Sequence, residues 1–355
     1  MMTANPLLGA LLHSVGACSS ALCYTPQKKT RAWSWQTYWL AQASVCWLIL
    51  PWVGAWFTIP QLGAVLAQAP ADVMAKTFLL GALYGIGGTA FGVAIRYIGF
   101  SITYAIAIGI SCVLGTMVTP LLSGQLAAVF NQTGAGWVLA GVAVATGGIL
   151  VSGLAGWLKD IDLRSSDTMP EGFHFGKGVF FCVLAGLLSA VFGISLDAGR
   201  PLAVLASAHG AGQFEGNVVY IFSCGGAFFT TALYCLFLHL RNRSLGEYVE
   251  LPAGEVNAAL PINFSMATLT GFLWYGQFFF YGLGHVRMGA YKFTSWAIHM
   301  AMLVFFSAVV GVALREWKGC RARTWTTLLG ALLVLLTAVG LMTYGNYLGS
   351  PPGAP

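Results

Sequence analysis

The sequence predicts an all-α polytopic membrane protein with ten transmembrane helices arranged as two inverted five-helix repeats. Three observations lead to this fold class: an apolar composition, ten apolar stretches of spanning length, and a weak echo between the two halves. Of the 355 residues, 57% are apolar and only 8% are Asp, Glu, Lys or Arg. The mean hydropathy is +0.76. These values exclude a soluble globular protein, whose charged fraction is about 25%.

Ten apolar stretches match the length of about 20 residues that a helix needs to cross the hydrocarbon core of a bilayer. The predicted spans are residues 7–25, 36–58, 77–95, 101–122, 136–158, 178–197, 217–240, 260–283, 292–314 and 326–347. They divide the chain into a first repeat at 1–158, a connecting loop at 159–177, and a second repeat with a short C-terminal tail at 178–355. The first stretch is interpreted as a span and not as a signal peptide, because its basic residues follow it.

The two halves show a weak internal sequence repeat, which we call the sequence echo. Six residues recur with the same spacing: Gly81, Leu83, Gly92, Gly99, Ala107 and Ile108 correspond to Gly271, Leu273, Gly282, Gly289, Ala297 and Ile298. Because each half contains an odd number of spans, the second repeat enters the membrane from the opposite face. Inverted repeats of this kind are typical of secondary transporters.

Basic residues predict the orientation in the membrane. Thirteen of the 17 Lys and Arg residues follow odd-numbered spans: Lys28, Lys29, Arg31, Arg96, Lys159, Arg164, Lys177, Arg241, Arg243, Arg315, Lys318, Arg321 and Arg323. The positive-inside rule makes these loops cytoplasmic and places both termini outside. The net charge of +6 reflects this bias and does not indicate a nucleic-acid partner.

The sequence contains no pattern for an enzyme, a metal site or a cofactor. The eight cysteines are scattered without metal-ligand spacing, and the acidic residues lie almost entirely in loops. Neither long connector, 159–177 or 241–259, has the pattern of a folded domain. The expected partners are therefore a small solute, its coupling ion and membrane lipids, and the oligomeric state has no signal in the sequence.

Asp197 is the one carboxylate next to an otherwise apolar span, in ISLDAGRPL. A carboxyl desolvated there could carry a proton through a transport cycle. Alternatively, Asp197 lies at the membrane surface and pairs with Arg200, three residues later on the same helical turn. Pro201 is expected to end or kink the helix at this point.

Two histidines lie inside spans: His13 in span one and His299 in span nine. Each can be buried in the neutral form, can titrate, and can hydrogen-bond a hydroxyl group. We expect both to line a central cavity, because polar residues in spans face the bundle interior. His285, at the end of span eight beside Arg287, is placed at the outer mouth.

Aromatic and amide groups in span eight have the chemistry of a sugar site, where a ring stacks on C–H faces and polar groups bind hydroxyls. Trp274, Tyr275 and Gln277 supply these groups, and Trp274 and Gln277 share a helix face. Tyr84 occupies the position of Trp274 in the other repeat, which predicts a symmetric pocket. Most other tryptophans are interpreted as packing or interfacial residues.

Several strings of the chain resemble one known family over nearly its full length. They are LHSVGA with His13, YTPQKK, WSW, IRYIGFS, AIAIGI, LWYGQFFFYGLGHVR, SWAIHM with Trp296 and His299, and VGVALREW. On these strings the chain resembles the L-rhamnose/proton symporter family of the drug/metabolite transporter superfamily.

The resemblance implies uptake of L-rhamnose or a similar deoxy sugar, driven by protons, across a bacterial inner membrane. The candidate substrate-binding residues are His13, Tyr84, Trp274, Tyr275, Gln277, Trp296 and His299. The sugar is expected near the midplane between the repeats, whose rocking exchanges access. The family pattern allows Asn where this chain has Asp197, so proton coupling stays open among Asp197, His13 and His299. Another small metabolite is the alternative substrate, and a receptor or an enzyme acting on lipid-linked sugar is the alternative in a different class.

Overall fold

The structure is a computed structural model that describes residues 4–23, 25–98, 100–122, 124, 127, 130–163, 174–251, 259–289 and 292–349. Within these ranges the chain is helical and contains no β-strand. Most of the predicted connecting loop, at 164–173, and the C-terminal tail from 350 onward lie outside the described residues.

The helices of the first half are α1 Pro6–Leu22, α2 Trp35–Ala43, α3 Leu50–Thr58, α4 Leu62–Gln68, α5 Ala71–Ile98, α6 Phe100–Leu122 and α7 Ala135–Leu163. Those of the second half are α8 Phe175–Ala198, α9 Arg200–Ala208, α10 Asn217–Asn242, α11 Ala259–His285, α12 Thr294–Ala313 and α13 Ala322–Leu348. Each predicted span overlaps a helix, because long apolar runs satisfy their backbone polar groups only within a helix when no water is present.

Eight helical segments of the described chain are long and apolar enough to cross a membrane. They are Pro6–Lys29, Trp35–Thr58, Ala71–Ala94, Ala135–Leu163, Gly176–Ala208, Gly212–Asn242, Thr294–Ala313 and Ala322–Leu348. Helix α6 contains a shorter apolar stretch, Ile106–Val118. Helix α11 has 27 residues but is not among the eight. The protein is therefore a multi-pass membrane protein, and the two further spans of the predicted ten remain a proposal.

The second span differs from the uninterrupted helix that its sequence predicts. A π-helical segment, Ser44–Ile49, separates α2 from α3, and the Leu50 N–H donates to the carbonyl of Val45. Pro51 comes directly afterwards, in the first turn of α3. Because proline has no N–H to donate, a regular α-helix through this point would lose a hydrogen bond. The wider turn before Pro51 accommodates that loss.

Two short helices, α4 and α9, lie between predicted spans. As expected, the helix that carries Asp197 ends before Pro201, at Ala198, and Pro201 lies in the first turn of α9, where a missing N–H costs nothing. Leu62 and Val65 of α4 pack in one buried cluster with Leu202 and Ala206 of α9. The two helices have seven and nine residues, too few for either to cross a membrane alone.

Contacts between Cα atoms divide the chain into two compact units, and each unit contains residues from both halves. Unit 1 comprises residues 1–21, 87–194 and 280–355, and unit 2 comprises residues 22–86 and 195–279. In unit 1, α7 and α13 approach closely through glycine. A Cβ at Gly141 would lie 2.9 Å from the backbone nitrogen of Met342 and 3.0 Å from the carbonyl of Ala338. Small residues allow this approach between spanning helices.

Two acidic side chains cap helices that belong to other parts of the chain. In unit 1, Asp162 at the end of α7 accepts hydrogen bonds from the Arg321 N–H, at 2.8 Å, and the Thr324 hydroxyl, at 2.6 Å, at the start of α13. In unit 2, Glu247 accepts from the Ser34 N–H, at 2.7 Å, and the Thr37 hydroxyl, at 2.5 Å, at the start of α2. Carboxylates satisfy the free N–H groups of a helix N-terminus and interact favourably with its dipole.

Candidate functional site

Two buried imidazoles lie at the centre of a cluster in unit 1. His13 of α1 is fully buried, and His299 of α12 is 2% exposed. Their ring centroids are 6.0 Å apart, with the rings edge to face. The structure therefore brings together the two histidines that the sequence placed in separate spans and buries both; that they line a cavity stays a prediction.

The histidine nitrogens of this cluster are largely without protein partners. Both nitrogens of His13, and Nδ1 of His299, are buried and form no hydrogen bond with any described residue. Buried polar groups in folded proteins are normally hydrogen-bonded. Three free positions on two neighbouring rings are therefore available to a proton, a water molecule or a hydroxyl group of a ligand.

Tyr281 of α11 packs against both imidazoles. Its ring centroid lies 5.1 Å from that of His13 and 5.5 Å from that of His299. One turn later, Gly284 allows α1 to approach, since a Cβ there would lie 3.0 Å from both Cε1 and Nε2 of His13. His285, expected at the outer mouth, stacks on Tyr281 at 5.8 Å, and its Nδ1 lies 3.1 Å from the Ser295 hydroxyl.

Trp296 belongs to the same cluster, where its polar atom is already satisfied. Its Nε1 donates to the carbonyl of Ser111 at 2.9 Å, and its ring lies 5.8 Å from Tyr281. Trp296 therefore presents only its ring faces to a ligand.

A second cluster, in unit 2, contains the aromatic residues predicted in span eight. Trp274 and Tyr275 are buried, and the ring of Trp274 lies 6.4 Å from that of Tyr84. The sequence predicted this pair as equivalent positions of the two repeats, and the structure places their rings together. Trp47 packs edge to face on Trp274 at 5.1 Å and lies 6.1 Å from Tyr84. We call Trp47, Tyr84, Trp274 and Phe278 the aromatic cluster; Phe278 lies 5.0 Å from Trp274.

Polar groups beside the aromatic cluster are also without partners among the described residues. The hydroxyl of Tyr275 and Nε1 of Trp47 are buried and form no hydrogen bond there. Gln277 is 5% exposed on the helix that carries Trp274. The hydroxyl, the indole N–H and the amide can each hydrogen-bond a hydroxyl of a polyhydroxy compound, and the rings of the cluster can contact its C–H faces.

Asp197 had two interpretations, a desolvated carboxyl or a position at the membrane surface with an ion pair to Arg200. It lies in the last turn of α8 with an exposed side chain, so protein packing does not desolvate the carboxyl. The alternative of an ion pair with Arg200 is also absent, although both side chains are described. The helix break at Gly199, between α8 and α9, separates the two residues that one continuous turn would have brought together.

Three residues of these clusters, Trp47, Phe278 and Tyr281, were missing from the predicted site. Trp47 lies mid-span, unlike the tryptophans near span ends, and this position was the available signal. Tyr281 lies one turn after Gln277, in the stretch that carries the other predicted site residues. Among the described residues, no group of three or more His, Cys, Asp or Glu side chains could hold a metal ion.

Comparison with known proteins assigns the family. The family model described as L-rhamnose-proton symport protein matches residues 2–346. The chain belongs to the L-rhamnose-proton symport protein family. It is 34% identical over 340 residues to the L-rhamnose-proton symporter of Cronobacter sakazakii (strain ATCC BAA-894), covering 95% of this chain and 97% of that relative. The protein of the same name from Yersinia pestis (strain Pestoides F) is also 34% identical over 340 residues, with coverages of 94% and 97%.

Membership confirms the family that the sequence motifs predicted. The family is one of symporters, which agrees with the prediction of a transporter and not an enzyme. The match extends over helices of both units, so the imidazole pair and the aromatic cluster both lie within the matched region.

Proposed function

We propose that this protein takes up L-rhamnose or a similar deoxy sugar together with protons across the bacterial inner membrane by alternating access. One observation carries the proposal: in a chain of a proton-symporter family, two adjacent buried imidazoles keep three nitrogens free of protein partners. A structural histidine pair would be satisfied by its surroundings. This pair is free to exchange a proton and to bind a hydroxyl group.

The imidazole pair is suited to holding one proton. Two positive charges on neighbouring rings in a water-poor site would repel, so the second protonation is disfavoured and the pair titrates as a unit. His13 and His299 are therefore the proposed coupling residues. Asp197 is the third candidate, and its exposed carboxyl makes it the less favoured one.

Each cluster contains residues that we propose for sugar binding. Trp274 and Tyr84 offer ring faces for the C–H surface of a sugar, and Tyr275 and Gln277 offer hydrogen-bonding groups. In the first cluster, Trp296 offers a further ring face, and His13 and His299 can accept from or donate to hydroxyls.

Two glycine contacts in unit 2 support the proposed inverted repeats. Gly81 and Gly271 are equivalent in the sequence echo. A Cβ at Gly81 would lie 2.8 Å from the Cα of Ser223 in α10, and one at Gly271 would lie 3.3 Å from the backbone nitrogen of Cys46 in the second span. Spans two and seven, which these glycines contact, are themselves equivalent under the repeat. With ten spans, the distribution of basic residues supports a periplasmic position for both termini.

Coupling requires that the carrier reorients readily when empty or fully loaded, and slowly when it holds only one substrate. A difference of about 3 kcal/mol between these forms gives about a hundredfold discrimination. In this scheme a bound sugar hydroxyl supplies the partner that the protonated imidazole lacks, so each ligand stabilises the binding of the other.

Uptake of labelled L-rhamnose into proteoliposomes tests the proposal. With one proton per sugar, an inward gradient of one pH unit should give about tenfold accumulation, which a protonophore abolishes. We expect His13→Gln and His299→Gln to lose accumulation while they retain exchange of labelled for unlabelled sugar.

Asp197→Asn should accumulate sugar like the parent, and so should the control His209→Gln, whose Nδ1 lies 3.2 Å from the Gln61 side chain. If Asp197→Asn loses accumulation but keeps exchange, the carboxylate of Asp197, and not the imidazole pair, is the proton-coupling group. A parent protein without uptake and without exchange of L-rhamnose would contradict the proposed substrate.

A further inference from the structure

Trp47 lies on the one π-helical segment within the described residues and is 2% exposed. Its ring contacts two residues of the proposed sugar site, Trp274 and Tyr84. π-Helical turns inside α-helices are uncommon and occur frequently at functional sites, where they redirect a side chain. The segment before Pro51 thus positions this indole within the aromatic cluster.

The indole N–H of Trp47 is a buried donor without an acceptor among the described residues. Other tryptophans of the chain show what a satisfied indole looks like: Nε1 of Trp33 donates to the carbonyl of Glu247 at 2.8 Å, and Nε1 of Trp296 to that of Ser111 at 2.9 Å. An indole can only donate, so Trp47 requires an oxygen acceptor. A buried donor without an acceptor destabilises the folded protein. In this protein such a donor lies in the aromatic cluster.

The hydroxyl of Tyr275, on the helix that carries Trp274, is a second buried group of the same kind. Tyr275 and Trp47 both belong to unit 2. An unpaired O–H group and an unpaired N–H group, each on a residue that packs against aromatic rings, suit a ligand that is rich in oxygen acceptors and also has an apolar face. A sugar has both, whereas an apolar solute has no acceptor and an inorganic ion has no apolar face.

We infer that Trp47 is a sugar-binding residue, whose indole N–H donates to one hydroxyl oxygen of the sugar while the rings of Trp274 and Tyr84 contact its C–H face. This inference rests on the proposed function and adds to it a specific bond: one position of the sugar ring is recognised by Trp47. The residue therefore contributes to the choice among stereoisomers, because an indole N–H has a fixed direction and reaches an oxygen in one configuration only.

A cycle of protein variants and sugar analogues tests this bond. The probes are L-rhamnose and its 2-deoxy, 3-deoxy and 4-deoxy analogues, measured as inhibitors of labelled L-rhamnose exchange in proteoliposomes. In the parent, removal of the hydroxyl bound by Trp47 should weaken inhibition about two- to tenfold. In Trp47→Phe, L-rhamnose itself should bind more weakly by a similar factor. The difference in inhibition between L-rhamnose and the analogue that lacks this hydroxyl, which we call the analogue penalty, should then fall below about twofold.

Trp39→Phe is the matched control, because Trp39 is also buried, lies about two turns earlier on the same span, and stacks on Trp35 at 5.0 Å. It should keep every analogue penalty of the parent. If Trp47→Phe does not fold, benzothienylalanine at position 47 keeps the ring shape and replaces the N–H with sulfur, and the same loss of one penalty is expected.

Unchanged penalties at all three positions in the Trp47 variants would overturn the inference, since they would mean that the indole binds water or only packs. This outcome is distinct from failure of the proposed function, in which the parent itself would not exchange L-rhamnose.

Discussion

At the scale of single residues, hydrogen bonding separates structural from functional polar groups in the spans. His239 is as fully buried as His13, yet its Nδ1 lies 2.8 Å from the Ser244 hydroxyl and its Nε2 lies 3.2 Å from the Tyr248 hydroxyl. His13 has no such partner among the described residues. Burial alone therefore does not distinguish these two histidines, whereas their hydrogen bonding does, and of the two we propose a site role only for His13.

The same distinction predicts opposite effects of two tyrosine substitutions. Tyr275→Phe removes an unpaired buried hydroxyl, so stability should stay unchanged or rise by up to about 1 kcal/mol, while the affinity for L-rhamnose falls about two- to tenfold. Thermal unfolding in detergent and the KM of sugar exchange measure the two effects.

The control is Tyr220→Phe, since the Tyr220 hydroxyl donates to the carbonyl of Phe278 at 2.8 Å. Loss of this bond should lower the stability by about 1 kcal/mol. A Tyr275→Phe protein that is less stable and has the parent's KM would show that the hydroxyl is structural.

The sequence predicted candidate site residues but not their neighbours. His13 and His299 were recognisable because a polar group inside a span is costly and therefore needs a reason. Their contact was not predictable, because residues so far apart in the chain meet only through the packing of helices. Tyr281 and Trp47 escaped prediction for a related reason: apolar packing alone accounts for an aromatic residue in a span, and only its contacts reveal another role.

At the scale of helices, apolar length predicted where the elements lie, and local chemistry modified their ends. The predicted stretch 77–95 became the longer helix Ala71–Ile98, because polar residues at both ends continue the helix beyond the apolar core. The π-helical segment and the short helices α4 and α9 depend on a proline and on tertiary contacts, to which a count of apolar residues is insensitive.

The capping carboxylates give a prediction at this scale. Glu247→Ala removes two hydrogen bonds at the start of α2 and should lower the stability of the protein by about 1 to 2 kcal/mol. Glu250→Ala, which changes an exposed carboxylate three residues later, should stay within about 0.5 kcal/mol of the parent. Thermal unfolding in detergent compares them, and equal midpoints for the two variants would refute the capping role.

At the scale of the whole molecule, the distribution of basic residues predicts the orientation of the chain. Thirteen of the 17 Lys and Arg residues follow odd-numbered spans. Both capping carboxylates lie on this side of the predicted topology, since Asp162 follows span five and Glu247 follows span seven. The predicted cytoplasmic side therefore combines most of the basic charge with the two described acidic caps.

Reporter fusions measure this orientation. Alkaline phosphatase, which is active only in the periplasm, should be active when fused after Gly349 and inactive when fused after Arg243. Green fluorescent protein, which matures in the cytoplasm, should give the reverse pattern at the same two positions. Phosphatase activity at both positions would contradict the ten-span topology.

The interleaved composition of the two units has a consequence for biogenesis. Unit 2 is complete once residue 279 has been synthesised, whereas unit 1 also needs residues 280–355. His13 is synthesised long before Tyr281 and His299. During translation its imidazole therefore lies at the translocon or in lipid without the neighbours that enclose it in the finished protein. Helix α1 is made before α11 and α12 but reaches its final packing only after both have been inserted.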